Sequence, residues 1–202
     1  MKFNRESAKT ESRQRLIDAA TEAFMEEGYS ASIDRIAERA GVARQTVYNQ
    51  FLDKKDLFSE VANRAADTIL VPLDGDGTDI RTQLIQLGVG LRQRILGDEG
   101  VAIFRTLIAE APRLPALAQA FFEKGPGRTL VRLTSFIDRA MDDRKLRRDD
   151  PQFAAEMLIS MLDGFENSRR MLGVSTFPSD EEQNRITQIV DAFLRAYAPE
   201  RT

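Results

Sequence analysis

Apolar residues recur along this chain at spacings of three and four, the period of an α-helix rather than of a strand. In residues 12–27, Leu16, Ile17, Ala20, Ala23 and Phe24 fall on one face. Gly28 then stops the helix as a left-handed cap, leaving Tyr29 free to pack back on Phe24. A longer helix is expected from Lys54 to about Leu70, capped by Asp53 and ended by Pro72 and the DGDGTD stretch at 74–79. Residues 79–96 turn Ile80, Leu84, Leu87, Leu91 and Ile95 to one side, and Gly97 and Gly100 bracket a break. A short apolar helix, Val101 to Glu110, is closed by Pro112 and Pro115. Leu117, Phe121 and Phe122 mark the next, ended by GPG at 125–127. Leu130, Leu133, Phe136, Ile137 and Met141 mark another. Asp150-Pro151 supplies an N-cap followed by proline at the first helical position. That helix runs to about Leu172 and stops at Gly173. Ser179 and Glu182 form a capping box for a final helix at 180–197. No internal repeat, low-complexity tract or persuasive strand interrupts this pattern, so the expected class is all-α.

Residues 32–51, SIDRIAERAGVARQTVYNQF, meet each constraint of a helix-turn-helix. Ser32 can cap the first helix. Ile36 packs inward, and Ala37 is small enough for the second helix to cross closely. Gly41 sits where the tight turn needs a positive φ. Val42 and Val47 close the small core, with Phe51 ending the second helix. That helix, Ala43 to Gln50, carries Arg44, Gln45, Thr46, Tyr48 and Asn49 on its remaining surface, where they can reach phosphates or base edges in a major groove. An ordinary corner between two helices would give no reason for those polar residues to cluster on one short helix. The expected division is therefore an N-terminal arm and three-helix DNA-binding domain at 1–53, a connecting helix at 54–72 and a C-terminal helical bundle at 73–202.

Composition narrows the alternatives. The chain has 202 residues, no cysteine and no histidine. Disulfides and thiolate metal sites are excluded, and the commonest general base and metal ligand are missing. No run of apolar residues is long enough to span a membrane. The start, MKFNRESAKTESRQR, lacks the apolar stretch of a secretory signal, so a cytoplasmic location is expected. The formal net charge of −3 argues at first against nucleic acid. Its distribution matters more. Lys2, Arg5, Lys9, Arg13 and Arg15 face only Glu6 and Glu11, and Arg35, Arg39, Arg44, Lys54 and Lys55 follow. An all-α enzyme is one rival reading, but no Walker loop, dinucleotide fingerprint or nucleophile elbow is present. KGPGRT at 124–129 lacks the phosphate-loop spacing. DGDGTD lacks the glycine at the sixth position and the glutamate at the twelfth that a calcium loop needs. No cofactor and no metal are called for. A sequence-independent architectural DNA protein is a second rival, and it would carry a strongly basic charge.

The segments LIDAATEAFMEEGYSASI, DRIAERAGVARQTVYNQF and DKKDLFSEV, covering about residues 13–61, resemble the N-terminal pattern of the TetR family of transcriptional regulators without a gap. The resemblance implies phosphate contacts from Tyr48, from Lys54 at the start of the fourth helix, and from Ser32. It makes Arg44, Gln45, Thr46 and Asn49 the matching candidates for base or phosphate contact. LIAEAPRLPALAQAFFEKGPGR at 107–128 and LRRDDPQFAAEML at 146–158 are similar to the AefR-like branch. The family implies a homodimer, a repressor and double-stranded operator DNA.

The C-terminal helices carry two broad apolar faces, which are either intramolecular core or a four-helix interface between subunits, as the resemblance implies. Met157, Met161, Phe165, Ile186, Val190 and Phe193 are the interface candidates. One short recognition helix per chain gives few contacts, so a dimer on an inverted repeat is expected. Leu87, Leu91, Phe104, Leu107, Phe121, Phe122 and Phe136 are candidates to line a pocket for an unidentified small apolar or amphipathic effector, or else are plain core. Gly88 and Gly90, each costing about 1 kcal/mol in a helix relative to alanine, leave room either for a ligand or for a neighbouring helix.

Overall fold

The structure is a computed structural model that describes residues 2–74, 79–174 and 181–199, with side chains from Thr10 onward. The described residues form helices and turns, with no strand. In order they are α1 (Lys2–Glu27), α2 (Ile33–Arg39), α3 (Arg44–Tyr48), α4 (Lys54–Leu70), α5 (Ile80–Leu96), α6 (Asp98–Glu110), α7 (Pro115–Lys124), α8 (Pro126–Asp142), α9 (Pro151–Leu172) and α10 (Glu182–Ala196). The helix expected at 12–27 begins ten residues earlier, at Lys2. Residues 2–11 contain no glycine or proline and several good helix formers, but no apolar stripe, so periodicity alone does not reveal them. None of the described helices is long and apolar enough to cross a membrane.

The chain folds as two compact units, residues 1–64 with 102–125 and residues 65–101 with 126–202. Segment 102–125, which the sequence groups with the C-terminal bundle, thus belongs with the N-terminal helices. Ile103, Leu107, Leu117 and Phe121 share one core with Leu16, Phe24, Ile36, Val47 and Phe58. The expected separation at 74–79 is not where the units divide, since residues 65–74 and 79–101 on either side of it belong to the same unit, and chain order does not decide which helices pack together. Residues 75–78 lie outside the described residues.

In the first unit, Phe58 is the hub of an aromatic cluster. Its ring centroid lies 4.9 Å from that of Phe24, 5.5 Å from Tyr29 and 5.4 Å from Phe121. Phe24 stacks on Tyr29 at 6.2 Å, as the cap at Gly28 requires, and Phe104 meets Phe121 edge-on at 5.7 Å. Edge-to-face and offset pairs of this kind add to the burial energy of the rings.

In the second unit, α5 packs against α9 and α10, and α8 against α9. Leu84, Leu87, Leu133, Ile137, Leu158, Leu162, Val190 and Phe193 are among its core residues. Gly88 explains the close crossing. A Cβ there would lie 2.8 Å from Ile186 Cγ2 and 3.0 Å from Leu162 Cδ2. The space is therefore taken by neighbouring helices. At Gly90 a Cβ would meet only the Ile69 Cα, at 3.6 Å, an ordinary contact. One turn from Gly88 stands Arg92, 1 % exposed. Its guanidinium donates to both carboxylate oxygens of Glu182 and to the Leu162 carbonyl. Glu182 thus spends its side chain on α5. Ser179, its expected capping partner, lies outside the described residues. Asp150 does cap α9, accepting from Gln152 N and Phe153 N, and Gly173 ends it in the left-handed region. A feature without a sequence signal is the kink inside α9 at Gly164, with φ 55° and ψ −169°.

The two glycines of α5 should respond oppositely to alanine. Gly88→Ala gains about 1 kcal/mol of helix propensity but forces two branched side chains aside, an overpacking cost of about 1–3 kcal/mol, and should lower stability. Gly90→Ala meets no such obstacle and should raise stability by up to about 1 kcal/mol. Urea midpoints of the two variants, moving in opposite directions from the parent, are the check.

Candidate nucleic-acid interface

A helix of five residues is too short to be stable alone, so α3 must be held by its surroundings. Val47 is its inward anchor at 1 % exposure, and Phe51, just beyond it, is 2 % exposed. Gly41, at φ 66°, makes the turn that a residue with a Cβ adopts only with strain. Ser32 caps α2 by accepting from Arg35 N at 3.2 Å. Its hydroxyl hydrogen is still a donor. From α1, Arg13 donates to the Gln50 carbonyl at 3.0 Å and lies 4.4 Å from the centre of the Phe51 ring.

The opposite side of α3 is polar and open. Arg44, Gln45, Tyr48 and Asn49 are exposed, and Thr46 is half-buried. The spacing makes two adjacent stripes. Arg44 donates to the Tyr48 hydroxyl at 3.4 Å, and Gln45 to Asn49 at 3.1 Å. Lys54 opens α4 with its ammonium 4.5 Å from the Tyr29 ring centre. Burial lowers its pKa, and the nearby Glu110 carboxylate opposes that shift.

Among the described residues, four of the arginines expected here as a basic surface are paired with carboxylates. Arg39 binds Glu22 and Glu26, and Arg35 binds Glu26 and Glu27. Arg13 binds Glu60, 2.6 Å away. Arg44 binds Asp34, a residue of the motif that sequence reasoning passed over. No local spacing links the two residues, ten apart across the turn, and only the packing of α2 beside α3 brings them together.

Of the seven pocket candidates, Phe104, Leu107 and Phe121 belong to or pack against the first core, and Leu87, Leu91 and Phe136 to the second. The structure does not bring them into one cluster. Phe122 is 56 % exposed. It follows Phe121 directly, and the step of about 100° between successive helix residues turns it to the outer side here. The interface candidates divide too. Ile186, Val190 and Phe193 are fully buried within the chain, because the α10 stripe that carries them packs on α5 and α9. Met157 and Met161 are half-buried, whereas Phe165 is largely exposed, and with it on α9 are the exposed Phe153 and Leu172.

Two family models match this chain. "Bacterial regulatory proteins, tetR family" covers residues 16–61, and "AefR-like transcriptional repressor, C-terminal domain" covers residues 82–199. A TetR-family transcriptional regulator from Mesorhizobium loti is 32 % identical, with a TM-score of 0.78 over 94 % of this chain and 98 % of that one. The flavonoid-responsive regulator FrrA is 29 % identical, with a TM-score of 0.71 over the same shares. Among curated proteins, an HTH-type transcriptional regulator of Mycobacterium tuberculosis is 34 % identical over 88 residues, 40 % of this chain and 38 % of that protein. The transcriptional activator FasR of Mycolicibacterium smegmatis is 31 % identical over 114 residues, 56 % of this chain and 40 % of its own. The chain thus spans less than half the length of these curated relatives.

A carboxylate–ammonium cluster ties α4 to α7. Lys124 Nζ lies 2.7 Å from Asp56 and 2.6 Å from Glu60. Burial would raise the Asp56 carboxyl, but Lys124 and the Leu52 N–H hold it below its ordinary range. Burial would likewise lower Lys124, yet the two carboxylates raise it. A depressed carboxyl stabilises the fold above its unfolded pKa, about 3.9, and loses that effect as pH falls through the lower folded value. A raised ammonium stabilises below its unfolded pKa, about 10.4. Lys124→Met should therefore lower stability most between about pH 5 and 9, and the difference from the parent should shrink below about pH 4. Denaturation curves at pH 7 and pH 3 test this. An equal difference at both would refute the assignment.

Proposed function

Since the chain belongs to the TetR family of transcriptional regulators, with a C-terminal domain of the AefR-like type, we propose that it is a homodimeric repressor released from an inverted-repeat operator by a small apolar or amphipathic effector. It is a DNA-binding regulator and not an enzyme. The observation that carries the finer reading is the polar face of α3, exposed above a buried Val47. Arg44, Gln45, Thr46 and Asn49 are its base or phosphate contacts, and Ser32, Tyr48 and Lys54 its phosphate contacts. The protein works on chromosomal DNA in the cytoplasm.

Dimerisation is supported by the exposed apolar positions of α9, Phe153, Phe165 and Leu172, beside half-buried Met157 and Met161. Large apolar side chains exposed along one helix are suited to burial against a second chain. Two recognition helices about 34–36 Å apart would then enter successive major grooves. The effector reading is supported by the flavonoid-responsive relative and by the apolar helices of the second unit, with Leu87, Leu91 and Phe136 as its lining. The likeness to an activator favours a second reading, in which the same operator contact raises transcription.

Selecting bound sequences from random DNA tests the proposal. The expected product is a dyad-symmetric site bound by two chains, weakened by apolar aromatic compounds such as flavonoids. A compound that weakens operator binding tenfold must itself bind about tenfold more weakly to the DNA complex. Selected sites without a dyad, from a protein that sediments as a monomer, would overturn the reading. A reporter gene behind the selected site separates repression from activation.

Lys54→Ala separates positioning from reading. It should weaken binding to all sequences alike and reduce the salt slope by about 0.9 per subunit, one phosphate contact. Titrations of operator and random duplexes at several salt concentrations check this. A changed base preference with an unchanged slope would show that Lys54 reads bases instead.

A further inference from the structure

Asp34 on α2 and Arg44 on α3 form a contact that joins the polar face of the recognition helix to its supporting helix through side chains. Arg44 Nη1 is shared between the two carboxylate oxygens, at 2.9 and 2.8 Å. Nη2 reaches the Tyr48 hydroxyl at 3.4 Å, and the guanidinium lies 5.6 Å from the centre of that ring. The two side chains are 59 % and 64 % exposed. An ion pair this exposed contributes little to folding, because water and salt screen it and both side chains lose rotamer freedom. Its main consequence is geometric. A free arginine beside DNA can reach any phosphate. Here a carboxylate occupies one terminal nitrogen and repels the phosphate backbone. Nε and Nη2, which keeps a second hydrogen beside the long contact to Tyr48, form a planar two-donor edge of the shape that pairs with O6 and N7 of guanine.

We infer that Asp34 is a specificity-determining positioning residue, which holds Arg44 to read one guanine in the major groove of each half-site and turns it away from phosphate. The inference rests on the reading above, in which α3 enters the groove. Asp34 also lies in the first turn of α2, where a carboxylate suits the helix N-terminus. That role alone would move thermal stability and leave base preference untouched.

The test is base preference in the full-length protein. Each variant is titrated against the selected operator, its single-base variants and a random duplex at fixed salt. The parent should favour guanine at one position per half-site by about tenfold or more. Arg44→Ala and Asp34→Ala should both lose that preference, while Asp34→Ala binds random DNA more tightly with a steeper salt dependence. Asp34→Glu, which keeps the carboxylate, should restore part of the preference. If Asp34→Ala keeps the guanine preference, or weakens operator and random duplex equally, the inference fails while the functional reading stands. If Arg44→Ala leaves the selected sequence unchanged, Arg44 is not a reader and the inference falls with that assignment. A parent that selects no dyad site at all would overturn the functional reading itself.

Discussion

Forming the first turn of a helix fixes several residues for a single hydrogen bond, so a segment as short as α3 gains too little from its own backbone to persist in water. Everything around the recognition surface answers that constraint. Val47 and Phe51 anchor the inner side. Gly41 sets the entry angle. Arg13, from another helix, satisfies the Gln50 carbonyl beyond the last turn and covers the Phe51 ring. The aromatic cluster around Phe58 then fixes α1 and α4, on which this small assembly rests. Because the support comes from tertiary contacts, the outer face is released from any structural duty. Its residue types can be chosen for DNA.

The electrostatics follow the same economy. A chain with net charge −3 cannot bind DNA as a diffuse polycation. Its N-terminal arginines are largely engaged by carboxylates on neighbouring helices, as with Arg39 on Glu22 and Glu26. Pairing lowers the attraction for arbitrary phosphate and leaves recognition to a few residues whose directions are set. That balance suits a DNA-binding regulator, for which rejecting non-specific sites matters as much as affinity.

Much of this was legible in the sequence because it is local. The cap at Ser32, the turn at Gly41, the stop at Gly28 with Tyr29 folding back on Phe24, and the Asp150-Pro151 start of α9 each depend on a few consecutive residues, and each is found. The recognition-helix candidates lie on the exposed side of α3, apart from half-buried Thr46. What was not legible is non-local. Nothing in the spelling of residues 102–125 says which core Phe104 and Phe121 will enter, since an apolar stripe fits any apolar partner. The Gly164 kink has no proline to announce it. Asp34 is visible only when α2 and α3 are placed side by side.

The same limit explains the two faces of the C-terminal helices. Periodicity shows that α10 has an apolar stripe and cannot show whether it is used inside one chain or between two. Here Gly88 decides. With no side chain at that point, α5 lets Ile186 and Leu162 approach to a distance that a Cβ would forbid. The α10 stripe is thereby consumed in the protomer's own core. Arg92 reinforces the crossing from within by joining Glu182 of α10 to the backbone of α9 just before the kink. With α10 committed inward, α9 still leaves Phe153, Phe165 and Leu172 exposed. Gly88 thus helps commit the α10 stripe to the chain's own core, while these α9 positions stay exposed.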